Sequence, residues 1–243
     1  MYVDAKFVGE FGHGRLPAPP DPRNLMLAPL FREGVVAAPP PTELPSSKTL
    51  RLAWNGDQGR EPKCVGFSGE AWQRATPSLR GKKRITLDAH GYYRGAQFYD
   101  AWEGEGYDGT SVTGLVKFMA AHPDIDIKSY RYIRDVTEIP RWLANTTEVP
   151  TPVLLGIDWY EEMYFPSNVG LITPQGDVTG GHALVVIGYR MKGRNLTDLF
   201  FLLHNSWGEG WGIGGRCWIS GPDLQMLISA PGAEAVVATK IPR

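Results

Sequence analysis

Two short stretches, far apart in the chain, hold residue types that can do chemistry together. The first is DQGREPKCVGF, Asp57 to Phe67, which places Gln58 six positions ahead of Cys64. The second is GGHALVVIGY with LLHNSWGEGWGIGG: His182 opens one apolar run and Asn205 closes the next, just before Trp207. A thiol becomes a strong nucleophile when its thiolate is stabilised and a neighbouring base handles the proton. An imidazole serves as that base when a third group fixes which ring nitrogen carries hydrogen. Cys64, His182 and Asn205 supply these parts, and the Gln58 carboxamide with the Cys64 N–H can hold the oxyanion of a tetrahedral intermediate. Each residue alone has a bland reading. A lone cysteine is usually a small buried hydrophobe, a turn glutamine a surface residue, a histidine on an apolar run a satisfied core residue, and Trp207 core packing. The chemical reading rests on their occurring together.

The elements around them must then bring them into contact. Phe67, Ala71 and Ala75 recur at four-residue spacing, which predicts a helix that starts at Cys64 and stops before Pro77. Unpaired N–H groups and the positive end of the helix dipole at that start favour a thiolate. Ile85 to Gln97 reads as irregular. A glycine-rich loop from Glu103 to Ser111 follows, in which Thr110 or Ser111 can cap a second helix with Leu115, Phe118, Met119 and His122 on one face. Beyond Thr151 the pattern changes to short apolar runs bounded by turn residues: Val153 to Ile157, Ala183 to Tyr189, Phe200 to Leu203 and Arg216 to Ile219. These read as strands of a mostly antiparallel sheet or barrel. The expected organisation is a mainly helical lobe over 44–150 carrying the nucleophile, and a mainly β lobe over 151–243 carrying the histidine and asparagine. A cleft between two such lobes is a favoured place for a site.

Residues 1–43 precede that body. Nine prolines between Pro17 and Pro45 make the stretch extended. A flexible tail, a packed arm and a short pro-segment all fit, and Leu25, Met26, Leu27, Leu30 and Phe31 favour the arm because they are awkward in water. The net charge of −1 gives no steering toward nucleic acid or an anionic membrane. No apolar run approaches membrane-spanning length, and Met1 to Arg15 has scattered charges with no signal-like apolar core, so a cytoplasmic location is expected. The two cysteines, Cys64 and Cys217, are expected to be free thiols. The sequons at Asn145 and Asn195 are read as chance.

The His182 and Asn205 segments resemble those of the papain-like cysteine proteases, and DQGREPKCVGF resembles the glutamine and cysteine segment of that family at the same spacing. Leu44-Pro45-Ser46-Ser47 resembles the start of the family's mature domain, and Asp108-Gly109-Thr110-Ser111 the glycine-containing wall of its main specificity pocket. The resemblance covers about residues 44 to 220. It implies an α+β, two-lobed fold with a helical left lobe, an antiparallel β-barrel right lobe and a peptide lying extended across the cleft. Cys64 would be the nucleophile, His182 the general base and acid, Asn205 the orienting residue and Gln58 the oxyanion donor. Gly109, Thr110, Gly181 and Trp207 would contact a peptide or protein substrate, with no metal or cofactor. Val65 and Gly66 stand where the family usually has tryptophan and alanine, and His204 precedes Asn205 as a possible second titrating group. The same triad also serves transpeptidases and isopeptidases, and a silent peptide-binding member is the non-catalytic alternative.

Overall fold

The computed structural model describes residues 11–79, 87–103, 106–193 and 195–242. Most of the N-terminal reading (Met1 to Glu10), the first two residues of the Ile85–Gln97 stretch, and Gly104 and Glu105 of the glycine-rich loop lie outside these. From Phe11 onward the proline-rich leader packs on the body. Leu27, Leu30 and Phe31 lie on or beside a single helical turn, α1 (Ala28–Arg32), and are buried in the same apolar core as Trp142 and Leu143. The Arg141 guanidinium lies 4.1 Å above the Phe31 ring. Leu25 and Met26, expected to need cover, stay at the surface with 39% and 36% exposure, but their backbone runs beside Tyr132.

The helix beginning at Cys64 forms as α2 (Cys64–Ala75). Its inward face is set by Val65, Gly69 and Trp72, whereas Phe67 and Ala75 are only half-buried and Phe67 stacks on Trp54 at the rim. The stretch read as irregular holds a second helix, α3 (Ala89–Tyr99). Local signals start it: the Asp88 carboxylate accepts the Gly91 N–H, and the Glu70 carboxylate of α2 accepts the Ala89 N–H. Tyr92 and Ala96, four residues apart, are fully buried, but Gly91 and Gly95 weaken the propensity that would announce a helix. The third helix, α4 (Val112–Ala121), is capped by Ser111, which accepts the Gly114 N–H. Thr110 instead donates its hydroxyl to Asp100. Leu115 and Met119 face the core, Phe118 is half-buried, and His122 lies just past the helix end.

The remaining elements are β1 (Ser47–Thr49), β2 (Ser129–Tyr132), a short helix α5 (Glu138–Leu143), β3 (Val153–Tyr160), β4 (Val178–Met191), β5 (Leu199–His204), β6 (Arg216–Ser220), α6 (Gly221–Ser229) and β7 (Glu234–Thr239). The four expected strands lie within β3, β4, β5 and β6. They form one antiparallel sheet in the order β2-β7-β3-β4-β5-β6, with β1 paired to the far end of β4. The expected barrel is therefore an unclosed sheet among the described residues: β2 and β6 end the pairing path. The fold is a mixed α+β one, with α2, α3 and α4 packed together and α2 lying against β4, which brings the start of α2 to the histidine strand.

Gly66 accounts for one departure from the family pattern. A Cβ there would stand 2.1 Å from the Ala89 carbonyl oxygen and 2.8 Å from the Tyr93 Cβ, so α3 rests directly on the α2 backbone. Gly66→Ala gains about 1 kcal/mol of helix propensity, but overpacking this contact costs about 1–3 kcal/mol. We expect a net loss in chemical denaturation, whereas a stabilised variant would refute the close-packing account.

Candidate active site

His182 lies on β4 opposite Ile157 of β3, and β5 runs along the other edge of β4, so Asn205 emerges beside the ring just past the Val185–His204 pair. The imidazole Nε2 is 2.7 Å from Asn205 Oδ1. That oxygen also accepts the Ser206 N–H at 2.8 Å, which fixes the carboxamide with its oxygen toward the ring. Nε2 must therefore carry the hydrogen, leaving Nδ1 with a free lone pair. Nδ1 is buried and has no hydrogen-bond partner. Trp207 covers the ring at 4.6 Å between centroids and Trp159 meets it edge-on at 4.9 Å.

Cys64 is the first residue of α2, and the backbone N–H of Ala183, the residue after His182, faces its sulfur and favours the thiolate. The loop before it is tied to the Asn205 side of the cleft. Gln58 Oε1 accepts the Ser206 hydroxyl at 2.6 Å, and the Gln58 N–H donates to the Ser206 carbonyl. This aims Gln58 Nε2 into the cleft. His204, one residue before Asn205, points to the opposite face, where its ring bonds the Trp54 carbonyl and burial lowers its pKa to about 4. It is not a second titrating group at neutral pH.

The cleft is filled by the chain's own arm. Gly12 O accepts from Gln58 Nε2 at 3.0 Å and from Trp207 Nε1 at 3.4 Å. Gly14 and Arg15 donate their N–H groups to the Gly181 carbonyl, while Thr110 donates to Gly14 O and accepts from the Leu16 N–H. Thus the four expected contact residues, Gly109, Thr110, Gly181 and Trp207, all meet one segment. The backbone approach is close: a Cβ on Gly109 would lie 2.6 Å from Gly14 O, and one on Gly181 2.2 Å from Arg15 O. The wall itself is held by α3, where the Tyr93 hydroxyl accepts the Gly109 N–H and Gln97 reaches the Tyr107 and Gly109 carbonyls.

Burial under the arm sets the charge states. Loss of water pushes the Cys64 thiol up to about 12, only partly offset by the Ala183 N–H. Burial, and then the neighbouring His13, lowers His182 to about 3 against the opposing pull of Asn205. The covered pair is a neutral thiol and a neutral imidazole. Sequence reasoning missed His13, whose ring stands 5.6 Å from that of His182, and it missed Arg15, Asp158 and Glu234. The only signal was GHGR, a run whose two glycines let the backbone pass close to another chain segment.

The fold is that of the papain-like cysteine proteases. The sequence profile of the papain family cysteine protease matches residues 99–225, which includes His182 and Asn205 but begins after Cys64. The chain belongs to that family. Its fold is similar to xylellain, a cysteine protease from Xylella fastidiosa, at 17% identity and a TM-score of 0.67, over 96% of this chain and 97% of that one. It is similar to the digestive procathepsin L2 proteinase of Tenebrio molitor larval midgut at 18% identity and a TM-score of 0.61, over 98% and 81%. It also resembles bromelain of Ananas comosus, solved with the E64 inhibitor, at 17% identity and a TM-score of 0.56, over 80% and 99%. Comparison with curated protein sequences gives no match. Among the described residues no helix is long and apolar enough to cross a membrane.

His13 generates a pH prediction. Burial lowers its pKa from 6.5 to about 4 while its ring contacts Tyr164 and His182. A histidine released from this place takes up its proton first, so docking weakens as pH falls from about 6.5 toward 4. The thermal midpoint should fall across that window, and His13→Gln should make the fall shallower, with His182 and His204 responsible for the rest. An unchanged slope would place the acid sensitivity elsewhere.

Proposed function

We propose that the chain hydrolyses peptide bonds with Cys64, His182, Asn205 and Gln58 as its working set. The observation that carries this is the His182 ring: Nε2 is committed to Asn205, and Nδ1 is bare and buried, one residue before Ala183, whose N–H faces the Cys64 sulfur at the start of α2. Once a substrate replaces the arm, Nδ1 takes the thiol proton and the thiolate attacks the peptide carbonyl carbon. The carbonyl electron pair moves onto oxygen, where Gln58 Nε2–H and the Cys64 N–H donate to it. The imidazolium returns its proton to the leaving amine as the C–N bond breaks, leaving a thioester. Water, deprotonated by His182, then attacks the thioester, freeing the acid and the thiol. Gln58 Nε2 already holds a peptide carbonyl, that of Gly12, which supports its assignment as the donor.

The arm supports a second element of the reading, that the full chain rests in a plugged state. Arm residues engage both sides of the cleft, and Cys64 has no exposed surface. The natural partner is then a peptide or protein, which must displace Phe11 to Leu16 or await their removal.

Intact-mass analysis after treatment with an epoxide-type cysteine protease inhibitor tests both. A specific protease site inserted in the Pro17–Pro22 stretch allows the plug to be cut while Leu27, Leu30 and Phe31 stay anchored. We expect one adduct that forms faster after the cut and is absent in Cys64→Ala. In the cut protein, Gln58→Ala should lower kcat/KM by about 10²–10³-fold. Labelling of Cys217 alone, or peptide cleavage by Cys64→Ala, would overturn the assignment. Amine-dependent products would mark a transpeptidase instead.

A further inference from the structure

The segment from Leu52 to Gln58 runs beside the end of β5 and the turn after it, and it is held at every second residue. Gly208 donates its N–H to the Gly56 carbonyl, Gln58 donates to the Ser206 carbonyl, and Asp57 pairs with Trp207. That spacing is the two-residue period of a strand. Further back it continues with side chains in place of backbone donors. The Trp54 carbonyl accepts His204 Nε2–H at 2.6 Å, and the Leu52 carbonyl accepts Arg216 Nη2–H at 2.6 Å. The sheet explains the change of donor. His204 stands opposite Val185 of β4 and Arg216 of β6, so the β5 backbone there is flanked on both sides and only side chains reach out of the sheet.

His204 and Arg216 are themselves a cross-strand pair, so their two carbonyl contacts form one clamp. A carbonyl only accepts, so Nε2 of the His204 ring carries the hydrogen. The residue is 2% exposed, and its ring lies nearly parallel to the Trp54 indole at 5.9 Å between centroids. Trp54 in turn stacks at 6.2 Å on Phe67, three residues past Cys64 on α2, and holds the Arg74 guanidinium over its ring at 5.1 Å. The clamp therefore ties the loop of Gln58 both to the β5 end that leads into Asn205 and to the helix of Cys64. Packing alone would be served by a third leucine after Leu202 and Leu203. The imidazole adds a donor aimed at one carbonyl.

We propose that His204 and Arg216 are positioning residues: by fixing the Trp54 and Leu52 carbonyls they set where the Gln58 carboxamide stands relative to the Cys64 N–H, the two donors to an oxyanion. What Gln58 does there rests on the peptidase reading above, whereas the clamp on its loop does not.

Amide exchange followed by NMR on full-length Cys64→Ala tests the clamp without any catalysis. Adding His204→Leu should speed exchange of the Gln58 and Gly208 N–H groups by at least about tenfold and leave Val236 and Val237 of β7 unchanged. Unchanged exchange at Gln58 and Gly208, or an equal rise in β7, overturns the clamp. On the active chain cut in the Pro17–Pro22 stretch, His204→Leu should lower kcat for a fluorogenic peptide by about 10- to 10²-fold with little change in KM. His204→Gln, whose amide can donate to the same carbonyl, should recover most of that loss. In a Gln58→Ala background His204→Leu should change kcat/KM by less than about twofold, because the group it positions is gone. Alkylation of Cys64 by iodoacetamide, which displaces iodide and forms no oxyanion, should keep its rate. Equal losses with and without Gln58, or a matching drop in alkylation, would overturn the positioning role while leaving the peptidase reading intact. No turnover by the cut parent, with exchange at Gln58 and Gly208 raised, would do the reverse. Should His204→Leu fail to fold, Arg216→Ala, at a half-exposed position, takes its place with the same expectations.

Discussion

The hydrogen bond from His182 Nε2–H to Asn205 Oδ1 is the interaction on which the site depends. It decides which ring nitrogen is free, and it does so only because the Ser206 N–H has already fixed which end of the Asn205 amide faces the ring. The same backbone segment orients Gln58 through the Ser206 hydroxyl. One turn after β5 therefore positions both the His182 ring and the Gln58 amide, while α2 brings the thiol to the residue after His182. Three separate elements converge on this one place.

Water exclusion acts in two directions here. Trp159 and Trp207 shield the His182–Asn205 bond, which strengthens it in a low-dielectric setting. With the arm added, the shielding goes far enough to hold thiol and imidazole neutral, since an ion pair loses more hydration than it regains. A substrate that displaced the arm would bring its own polar backbone and admit water, and the balance between the two charge states would shift. The arm thus covers the chemistry and also sets the electrostatic state of the groups beneath it.

Much of this was legible in the residues. Cys64 at a helix start followed from four-residue spacing and a proline stop, and the four strands from short apolar runs, because both are local patterns. What escaped was carried by residues whose local signals are weak or point the other way. Helix α3 contains two glycines and takes its start partly from Glu70 of another helix. Strand β2, Ser-Tyr-Arg-Tyr, is buried throughout only because Arg131 finds Ser129, the Tyr130 carbonyl and the Pro242 carbonyl as partners. The Glu234 and Asp158 carboxylates look like ordinary strand residues until the fold places them beside Arg15. Long-range pairing of polar groups leaves no periodicity to read.

Both sulfurs lie beneath full cover, with Cys64 and Cys217 each without exposed surface and each pushed up by burial toward the thiol form. Oxidation to a sulfenic acid or a mixed disulfide needs a thiolate that peroxide or another thiol can reach. The plugged chain offers neither. Its arm therefore shields the Cys64 sulfur, so that a molecule waiting in an oxidising medium would still carry it unmodified when the cleft is first opened.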